Sequence, residues 1–266
     1  MEKQYPFVQE IDSFLLSHGI VRDGYVIPVP VDALTPEQAV EAQKQLSHAA
    51  GSSIFVTQDR WMTQRPVLEA RLLAHHGIFR QVYARNCDVR RIDKPTAASF
   101  LAGTHSYADA SCKYRYGLFL KRSTGEKGEG NIAAGTLVAV SEFSSARNWK
   151  KGARTIRSFE WVRYASLPGI RVVGGMGKIL KHFISEIGPD DIMSYADLEW
   201  SDGEAYRQLG FVCEGRKDPV LFRIDTDSWT RTPLRPGDEL SAESPDNCRW
   251  FMNWGSLKYR LKLVDY

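Results

Sequence analysis

A glycine-rich stretch in the second half of the chain has the residue types of an anion-binding site. It reads Arg171-Val172-Val173-Gly174-Gly175-Met176-Gly177. Residues 158–165 before it are rich in aromatic and β-branched side chains, as a strand is, and residues 178–184 after it have apolar side chains at helical spacing. Glycines let the backbone approach an anion closely, and the N–H groups at a helix start attract it. The order of strand, glycine turn and helix therefore predicts a phosphate-binding turn.

The histidines and cysteines do not have the spacing of a metal site. His105 and His182 each stand alone, without a second His or Cys at ligand spacing, so no metal is expected. No C-x-x-C pair occurs, which excludes a zinc knuckle or a disulfide scaffold and predicts buried free thiols. The cysteines are Cys87, Cys112, Cys213 and Cys248.

Composition limits the class of protein. The chain has 266 residues, 43% hydrophobic and 25% charged, which is typical of one large or two modest globular domains. It has no apolar run of roughly 18 residues, so no membrane span or membrane partner is expected. The polar, acid-containing residues 1–6 argue against a secretory signal, and a cytoplasmic location is expected. A net charge of +3 does not by itself imply a polyanionic partner.

One short segment is rich in cations and contains no acid. Trp149 lies among these cations, in what reads as a hairpin-like connection. Such a segment can bind nucleic acid through phosphate contacts and base stacking, or it can be a solvated loop. The cations are Arg147, Lys150, Lys151, Arg154 and Arg157.

The elements that must position these residues fall into an N-terminal region, a central region and a tail. In residues 1–81 the patterns predict helices at 7–16, 35–48 and about 66–76, and strands at 25–31 and 54–56. In residues 82–225 they predict strands at 81–85, 114–120, 135–141, 158–165, 191–196, 211–214 and 220–224, helices at 94–101, 178–184 and 202–209, and a turn at 123–130.

This order predicts an α+β domain with an antiparallel meander first and one β-helix-β crossover at the glycine turn. Residues 211–214 and 220–224 are expected to close the same sheet. Residues 226–266 are expected to lie along the domain as an extension that ends in a strand-like piece, with no chemistry assigned to it.

The element order and the segment Ala205-Tyr206-Arg207-Gln208-Leu209-Gly210-Phe211 resemble the Gcn5-related N-acetyltransferase (GNAT) superfamily. Its members commonly end their second conserved helix in a Tyr-x-x-x-Gly-Phe pattern. The resemblance covers about residues 82–225. It implies a mixed, mostly antiparallel twisted sheet flanked by helices, here preceded by an α/β extension.

The resemblance also implies a coenzyme A site, with acetyl-CoA or another acyl-CoA as cofactor. In the family the pyrophosphate rests on a turn of the form Gln/Arg-x-x-Gly-x-Gly/Ala. The favoured register places Gly175 and Gly177 on the two small positions and Val172 at the Gln/Arg position, whereas Arg171 fits only if Gly174 is the first glycine. The implied cofactor-binding residues are Val162, Tyr164, Arg171, Val172, Val173, Gly174, Gly175, Met176, Gly177 and Lys178.

Acyl transfer from a thioester to an amine needs a deprotonated amine, a stabilised oxyanion and a protonated leaving thiolate. The resemblance implies that Glu160 is the base, that Tyr206 is the acid, and that the strand backbone at residues 161–164 polarises the carbonyl. Two alternatives stay open. Glu160 can be a strand carboxylate paired with Arg163 or Arg115, and Tyr206 can serve only packing.

Two further residues are candidates to contact the acceptor substrate. His105 lies in the loop before the predicted strand at 114–120, where acceptors enter in the family, but it can equally be a solvated loop residue. Asp197 follows the strand that should splay away from the strand of Glu160. Its alternative role is to form the turn before Trp200.

A narrower resemblance is to GNAT-like domains of phages and mobile elements. It rests on Val172-Val173-Gly174-Gly175, Ser194-Tyr195-Ala196-Asp197 and Trp200-Ser201-Asp202-Gly203. No paired acidic motif of a nuclease is present, so nuclease activity is not inferred. The sequence predicts an acyl-CoA-dependent N-acyltransferase, most simply an N-acetyltransferase, acting on a small-molecule or macromolecular amine. The alternative is a GNAT-like module that binds or modifies nucleic acid. The acceptor and the oligomeric state are not predicted.

Overall fold

The computed structural model describes residues 5–49, 53–124, 131–235 and 246–266. Most of the turn predicted at 123–130 lies outside the described residues. The chain divides into two compact units. The first unit comprises Met1–Glu69, Tyr195–Glu204 and Glu214–Lys258, and the second comprises Ala70–Ser194, Ala205–Cys213 and Tyr259–Tyr266. The domain boundaries at 81/82 and 225/226 stay a prediction.

The helices and strands are as follows. The helices are α1 (Pro6–Ser17), α2 (Pro36–Ala49), α3 (Gln58–His75), α4 (Lys94–Ala102), α5 (Gly175–Ile187) and α6 (Glu204–Gln208). The strands are β1 (Val26–Val29), β2 (Ile54–Thr57), β3 (Arg80–Tyr83), β4 (Cys87–Arg91), β5 (Tyr114–Leu120), β6 (Leu137–Phe143), β7 (Arg147–Lys151), β8 (Arg154–Ser166), β9 (Ile170–Val173), β10 (Asp191–Asp197), β11 (Val212–Lys217), β12 (Leu221–Asp225), β13 (Thr230–Pro233), β14 (Cys248–Met252) and β15 (Ser256–Lys262).

The first unit contains two small sheets. Strands β1 and β2 pair in parallel, and β12 pairs with β13 on one side and β14 on the other. Phe55 stacks on Trp254 with ring centroids 3.7 Å apart in the core of this unit. The prediction that residues 220–224 close the larger sheet was wrong, because β13 and β14 occupy both edges of β12.

Helix α3 begins earlier than predicted. It starts at Gln58 instead of about residue 66, and a kink at Gln64 (φ −136°) divides it. Pro66 accounts for the kink, because proline has no N–H to donate and its ring clashes with the carbonyl four residues before it. The proline therefore bends the helix, whereas the sequence pattern had suggested that the helix starts there.

The larger sheet has the strand order β11-β15-β10-β8-β6-β5-β4, with β7 pairing beside β8. The pairs β4–β5, β5–β6 and β6–β8 are antiparallel, and β10 pairs in parallel with β8. The predicted meander and the single crossover are thus confirmed. The fold is α+β with a mostly antiparallel sheet, and the alternation of α1, β1, α2 and β2 forms the expected α/β start of the chain.

Helices α4 and α5 cover opposite faces of this sheet. The α4 residues Ala97 and Leu101 pack with Val140 of β6, whereas Phe183 of α5 stacks on Phe143 with centroids 3.9 Å apart. Since successive strand residues point to opposite faces, positions 140 and 143 of β6 face different layers. The predicted flanking by helices is therefore present.

The first part of the glycine-rich stretch is a strand. Strand β9 pairs in parallel with β3, with Val172 opposite Val82, and ends at Val173. The chain then turns at Gly174, whose φ of 75° is the left-handed conformation that favours glycine, and α5 begins at Gly175. The turn predicted over the whole stretch is thus shorter, because branched residues at 170–173 extend the backbone.

Candidate active site

The pairing between β8 and β10 stops in the middle of β8. The ladder joins Asp191 to Ser158, Ile192 to Phe159 and Met193 to Glu160, while β8 itself continues to Ser166. At the next position the side chain of Ser194 takes over, since its Oγ donates to the carbonyl oxygen of Trp161 at 2.8 Å. Backbone groups of β8 beyond Glu160 therefore no longer depend on a β10 ladder for their hydrogen bonds.

A β-bulge lies at the same position on the other edge of β8. Phe143 of β6 faces Trp161, and the preceding residue Glu142 faces Arg163, so that Val162 has no partner of its own on β6. A bulge of this kind bends the strand and increases its twist. The end of the β10 ladder and the bulge together change the direction of β8 within three residues.

Tyr206 lies at this break in the pairing. Its hydroxyl is 2.7 Å from Ser194 Oγ, and its ring stacks on Tyr259 with centroids 5.5 Å apart. Its ring also packs against those of Trp161 and Phe211. The predicted Tyr-x-x-x-Gly-Phe segment explains this packing. Gly210 adopts a φ of 86°, which turns the chain so that Phe211 N–H donates to the Tyr206 carbonyl at 3.0 Å.

The Glu160 carboxylate is open for chemistry. It is half-buried, and among the residues that the structure describes it makes no hydrogen bond or ion pair. The pairing with Arg115 or Arg163 that the sequence left open is not made. Arg115 donates to Glu142 at 2.9 Å, and Arg163 donates to the carbonyls of Ala108 and Val162.

The environment of Tyr206 keeps its hydroxyl protonated. Burial raises the pKa of Tyr206, and the negative charge of Glu160 raises it further, whereas the bond to Ser194 and the charge of Arg163 lower it. A tyrosine with a raised pKa can donate a proton at neutral pH.

The glycines at the start of α5 pack closely against neighbouring side chains. A Cβ on Gly175 would lie 2.4 Å from the Tyr164 hydroxyl, and one on Gly177 would lie 3.3 Å from Leu209 Cδ2. Only glycine therefore fits at position 175 without displacing Tyr164. Met176, between these glycines, is half-buried.

The other predicted cofactor residues divide into outward-facing and inward-facing side chains. Along β9, Arg171 and Val173 are exposed and Val172 is buried, and the Arg171 guanidinium lies 5.2 Å from the centroid of the Phe79 ring. Lys178 is already engaged, since its Nζ donates to the carbonyls of Ala84, at 2.9 Å, and Cys87. Burial raises the pKa of the Tyr164 hydroxyl, which therefore stays neutral.

The two predicted acceptor-contacting residues both have structural partners. His105 is half-buried and its Nδ1 accepts the Tyr107 N–H at 3.1 Å, within the loop that follows α4. In the first unit, Asp197 accepts the Glu199 N–H at 3.0 Å and lies 3.8 Å from Arg60. The turn-forming role of Asp197 is thus present, and substrate contact by either residue stays a prediction.

Two polar residues of the site were not selected from the sequence. Ser194 shares one face of β10 with the apolar residues Ile192 and Ala196, and a hydroxyl in such a buried row needs a partner. Glu142 is fully buried on β6 and accepts the Ala110 N–H at 3.3 Å. Burial, together with Asp109, raises the pKa of Glu142 to about 7. Ser194 and Glu142 could have been selected from the sequence, because each is a polar residue within an otherwise largely apolar strand.

The basic segment forms a hairpin instead of a loop, with β7 paired to the start of β8. Because opposite residues of an antiparallel pair share a face, Arg147, Lys151 and Arg154 lie on one face, and Lys150 and Arg157 lie on the other. Lys151 and Arg154 donate to the carbonyls of Tyr266 and Asp265, and Arg157 donates to those of Gly188 and Ile187. Nucleic-acid binding by these cations stays a prediction.

The cysteines differ in exposure. Cys87 and Cys248 are buried as expected, Cys112 is half-buried, and Cys213 is exposed because strand β11 exposes its side chains on both faces. In the described part of the chain no three His, Cys, Asp or Glu side chains are grouped for a metal ion. Across the same residues, no helix combines the length and apolar character needed to cross a membrane.

Comparisons with known proteins give weak structural similarities. No family model matches the chain. A search of curated proteins finds no match. Among solved structures, Eis1 from Mycobacterium abscessus has a TM-score of 0.37 at 16% identity, covering 58% of this chain and 37% of Eis1. A histone acetyltransferase HPA2 and related acetyltransferase from Corynebacterium glutamicum has a TM-score of 0.33 at 13% identity, covering 79% and 95%. Nourseothricin acetyltransferase has a TM-score of 0.31 at 12% identity, covering 67% and 99%. Similarity at this level assigns neither family nor activity.

Proposed function

We propose that this protein is an acyl-CoA-dependent N-acyltransferase of the GNAT type, most simply an N-acetyltransferase. One observation carries the proposal. The β8–β10 ladder ends at Glu160, and the Tyr206 hydroxyl lies at the same point, bonded to Ser194. An open carboxylate and a protonated tyrosine beside an interrupted strand are the base, the acid and the backbone surface that acyl transfer to an amine requires.

The residues at the start of α5 fit a coenzyme A pyrophosphate. Gly174 supplies the left-handed turn, Gly175 has no room for a side chain, and the first N–H groups of this 13-residue helix have no acceptor within the helix. Arg171, on the exposed face of β9, would add a positive charge beside them. When bound, the acyl-CoA supplies an activated acyl group as a thioester.

The residues of the chain have separate tasks in this proposal. The neutral acceptor amine attacks the acyl carbon directly, and Glu160 accepts the proton that the nitrogen loses as the new C–N bond forms. Backbone N–H groups of residues 161–164 stabilise the oxyanion, and the bulge leaves Val162 among them without a partner on β6. Tyr206 gives its hydroxyl proton to the departing sulfur. The acceptor is an amine on a small molecule or a macromolecule.

Calorimetric titration with acetyl-CoA tests the proposal. We expect saturable heat at micromolar ligand. Two glycines of α5 provide matched variants, because Gly174 at its start and Gly188 at its end have φ of 75° and 62°. Alanine strains the backbone similarly at both positions, by roughly 1–2 kcal/mol.

Only the Gly174→Ala variant changes the end of the helix that carries the positive dipole. We therefore expect Gly174→Ala to weaken acetyl-CoA binding and Gly188→Ala to leave it unchanged. Absence of heat from the wild-type protein at high micromolar acetyl-CoA would refute the proposed function. If both variants weakened acetyl-CoA binding equally, the pyrophosphate would not bind at the start of α5.

A further inference from the structure

Ser194 makes two hydrogen bonds through a single hydroxyl group. It is 1% exposed, and its Oγ lies 2.7 Å from the Tyr206 hydroxyl and 2.8 Å from the Trp161 carbonyl oxygen. A serine hydroxyl has one proton and can donate only once, whereas a carbonyl oxygen can only accept. If Ser194 donates to Trp161, it must accept from Tyr206. The resting direction is therefore from Tyr206 to Ser194 to the backbone of β8.

The ring of Tyr206 is held by its neighbours, whereas the hydroxyl hydrogens of Ser194 and Tyr206 can rotate. The Tyr206 ring is held by Tyr259 and Phe211, and Tyr259 is itself fixed by a 2.7 Å bond from Arg207. A hydrogen bond to a charged oxygen is stronger than one to a neutral carbonyl. Ser194 should therefore turn its proton from Trp161 to Tyr206 whenever the Tyr206 oxygen becomes negative.

We propose that Ser194 is a positioning residue that holds the Tyr206 proton at rest and stabilises the Tyr206 oxygen after that proton has left. The proposal rests on the proposed function. In the reaction, the carbon–sulfur bond of the thioester breaks and the sulfur takes the Tyr206 proton. Ser194 then rotates about its Cβ–Oγ bond and donates to the phenolate. The proton that Glu160 has taken from the amine returns to Tyr206 through solvent, so that both groups regain their starting state.

The hydrogen bond from Ser194 lowers the pKa of Tyr206. Loss of this bond in a Ser194 variant should therefore raise that pKa. Without the bond, Tyr206 is a weaker acid and stays protonated to a higher pH. Ser194→Ala should therefore lower kcat about tenfold, the effect of one hydrogen bond to a charged group. The variant should also move the alkaline limb of the pH profile of kcat upward, while KM for acetyl-CoA stays the same.

The experiment measures thiol release from acetyl-CoA, with a panel of amines and with water alone, across pH. Ser141 is the matched control, because it is another buried serine that donates to a carbonyl of β8, that of Arg163 at 3.1 Å. Ser141→Ala should leave the alkaline limb in place. In a Tyr206→Phe background, Ser194→Ala should have no further effect on kcat. If Ser194→Ala does not fold, Ser194→Cys, with a weaker donor of similar size, should show a smaller upward shift.

The outcomes separate the two proposals. A wild-type protein that neither binds acetyl-CoA nor releases thiol refutes the proposed function, and the role of Ser194 with it. An active wild type whose alkaline limb does not move in Ser194→Ala overturns the role of Ser194 alone. An equal loss of kcat from Ser194→Ala with and without Tyr206 shows that Ser194 serves only folding.

Discussion

The two halves of β8 are built differently. Residues 154–158 pair with β7 on one edge, and residues 158–160 pair with β10 on the other. Residues 161–166 pair with β6 on one edge through a bulge, and the β10 ladder has ended on the other. Side chains complete the backbone hydrogen bonding in both halves, since Glu160 N–H donates to Ser144 Oγ at 2.9 Å and Ser194 Oγ donates to the Trp161 carbonyl at 2.8 Å. The halves therefore differ in the strands that they pair with.

The first half has a buried polar centre. Asp191 is fully buried and accepts hydrogen bonds from Ser158, from Arg260 at 2.7 Å and from Tyr266 at 2.6 Å. All of these partners are parts of the protein, so this centre stabilises the fold. Glu160, where the first half ends, is half-buried and makes no such bond in the described residues. In the proposed function, the strand is therefore a scaffold before Glu160 and a reactive surface from Glu160 onward.

The largest expected effect comes from removing the acid in the second half. Tyr206→Phe keeps the ring and its stacking on Tyr259 but removes the hydroxyl proton that the proposed mechanism gives to the leaving sulfur. We expect kcat to fall by roughly 10²–10⁴-fold, the usual contribution of a general acid, with thermal stability nearly unchanged. Steady-state kinetics and a melting curve check both parts. A fall in kcat of less than threefold would contradict the role.

Removal of the buried Asp191 charge beside the first half should lower stability and leave kcat nearly unchanged. Asp191→Asn leaves the Arg260 guanidinium buried without its counter-charge, which should cost on the order of 3 kcal/mol of unfolding free energy. The kcat of the protein that remains folded should be close to that of the wild type. Denaturant unfolding and kinetics on the same samples check this. If the variant kept normal stability but lost activity, the view that the first half serves stability and not catalysis would be wrong.

Much of this organisation could be predicted from the sequence. Runs of residues with high β-propensity marked β5, β6 and β10, and the tyrosine-to-phenylalanine segment at 206–211 marked the packing around Tyr206. The end of the β10 ladder could not be predicted, because it depends on which residues of two distant strands lie opposite each other. Strand β9 was not predicted, since its pairing partner β3 lies about 90 residues away along the chain and propensity does not report such pairing.

A smaller effect is expected at the glycines of α5. A Cβ on Gly175 meets the Tyr164 hydroxyl at 2.4 Å, whereas one on Gly177 meets a flexible leucine end at 3.3 Å. Gly175→Ala should therefore weaken acetyl-CoA binding by about tenfold, corresponding to roughly 1.4 kcal/mol. Gly177→Ala should weaken it less. Calorimetry on both variants compares them, and the reverse order would place the anion elsewhere on the helix.

The smallest expected effect is a pH dependence that arises beside the second half. Burial raises the pKa of Glu142 from 4.5 to about 7, so that the folded protein holds more protons than the unfolded chain between these values. The free energy of unfolding should therefore fall as pH rises from about 4.5 to about 7. Glu142→Gln should flatten this dependence. Denaturant midpoints at intervals from pH 5 to pH 8 measure it, and an unchanged slope in the variant would assign it to another group.

Amide hydrogen exchange along β8, with and without acetyl-CoA, tests whether the ligand binds against the second half of β8 and the start of α5. We expect acetyl-CoA to slow exchange at residues 161–164 and at residues 174–178, and to leave exchange at residues 154–160 unchanged. Slowing that is equal in both halves of β8, or confined to residues outside these segments, would contradict this expectation.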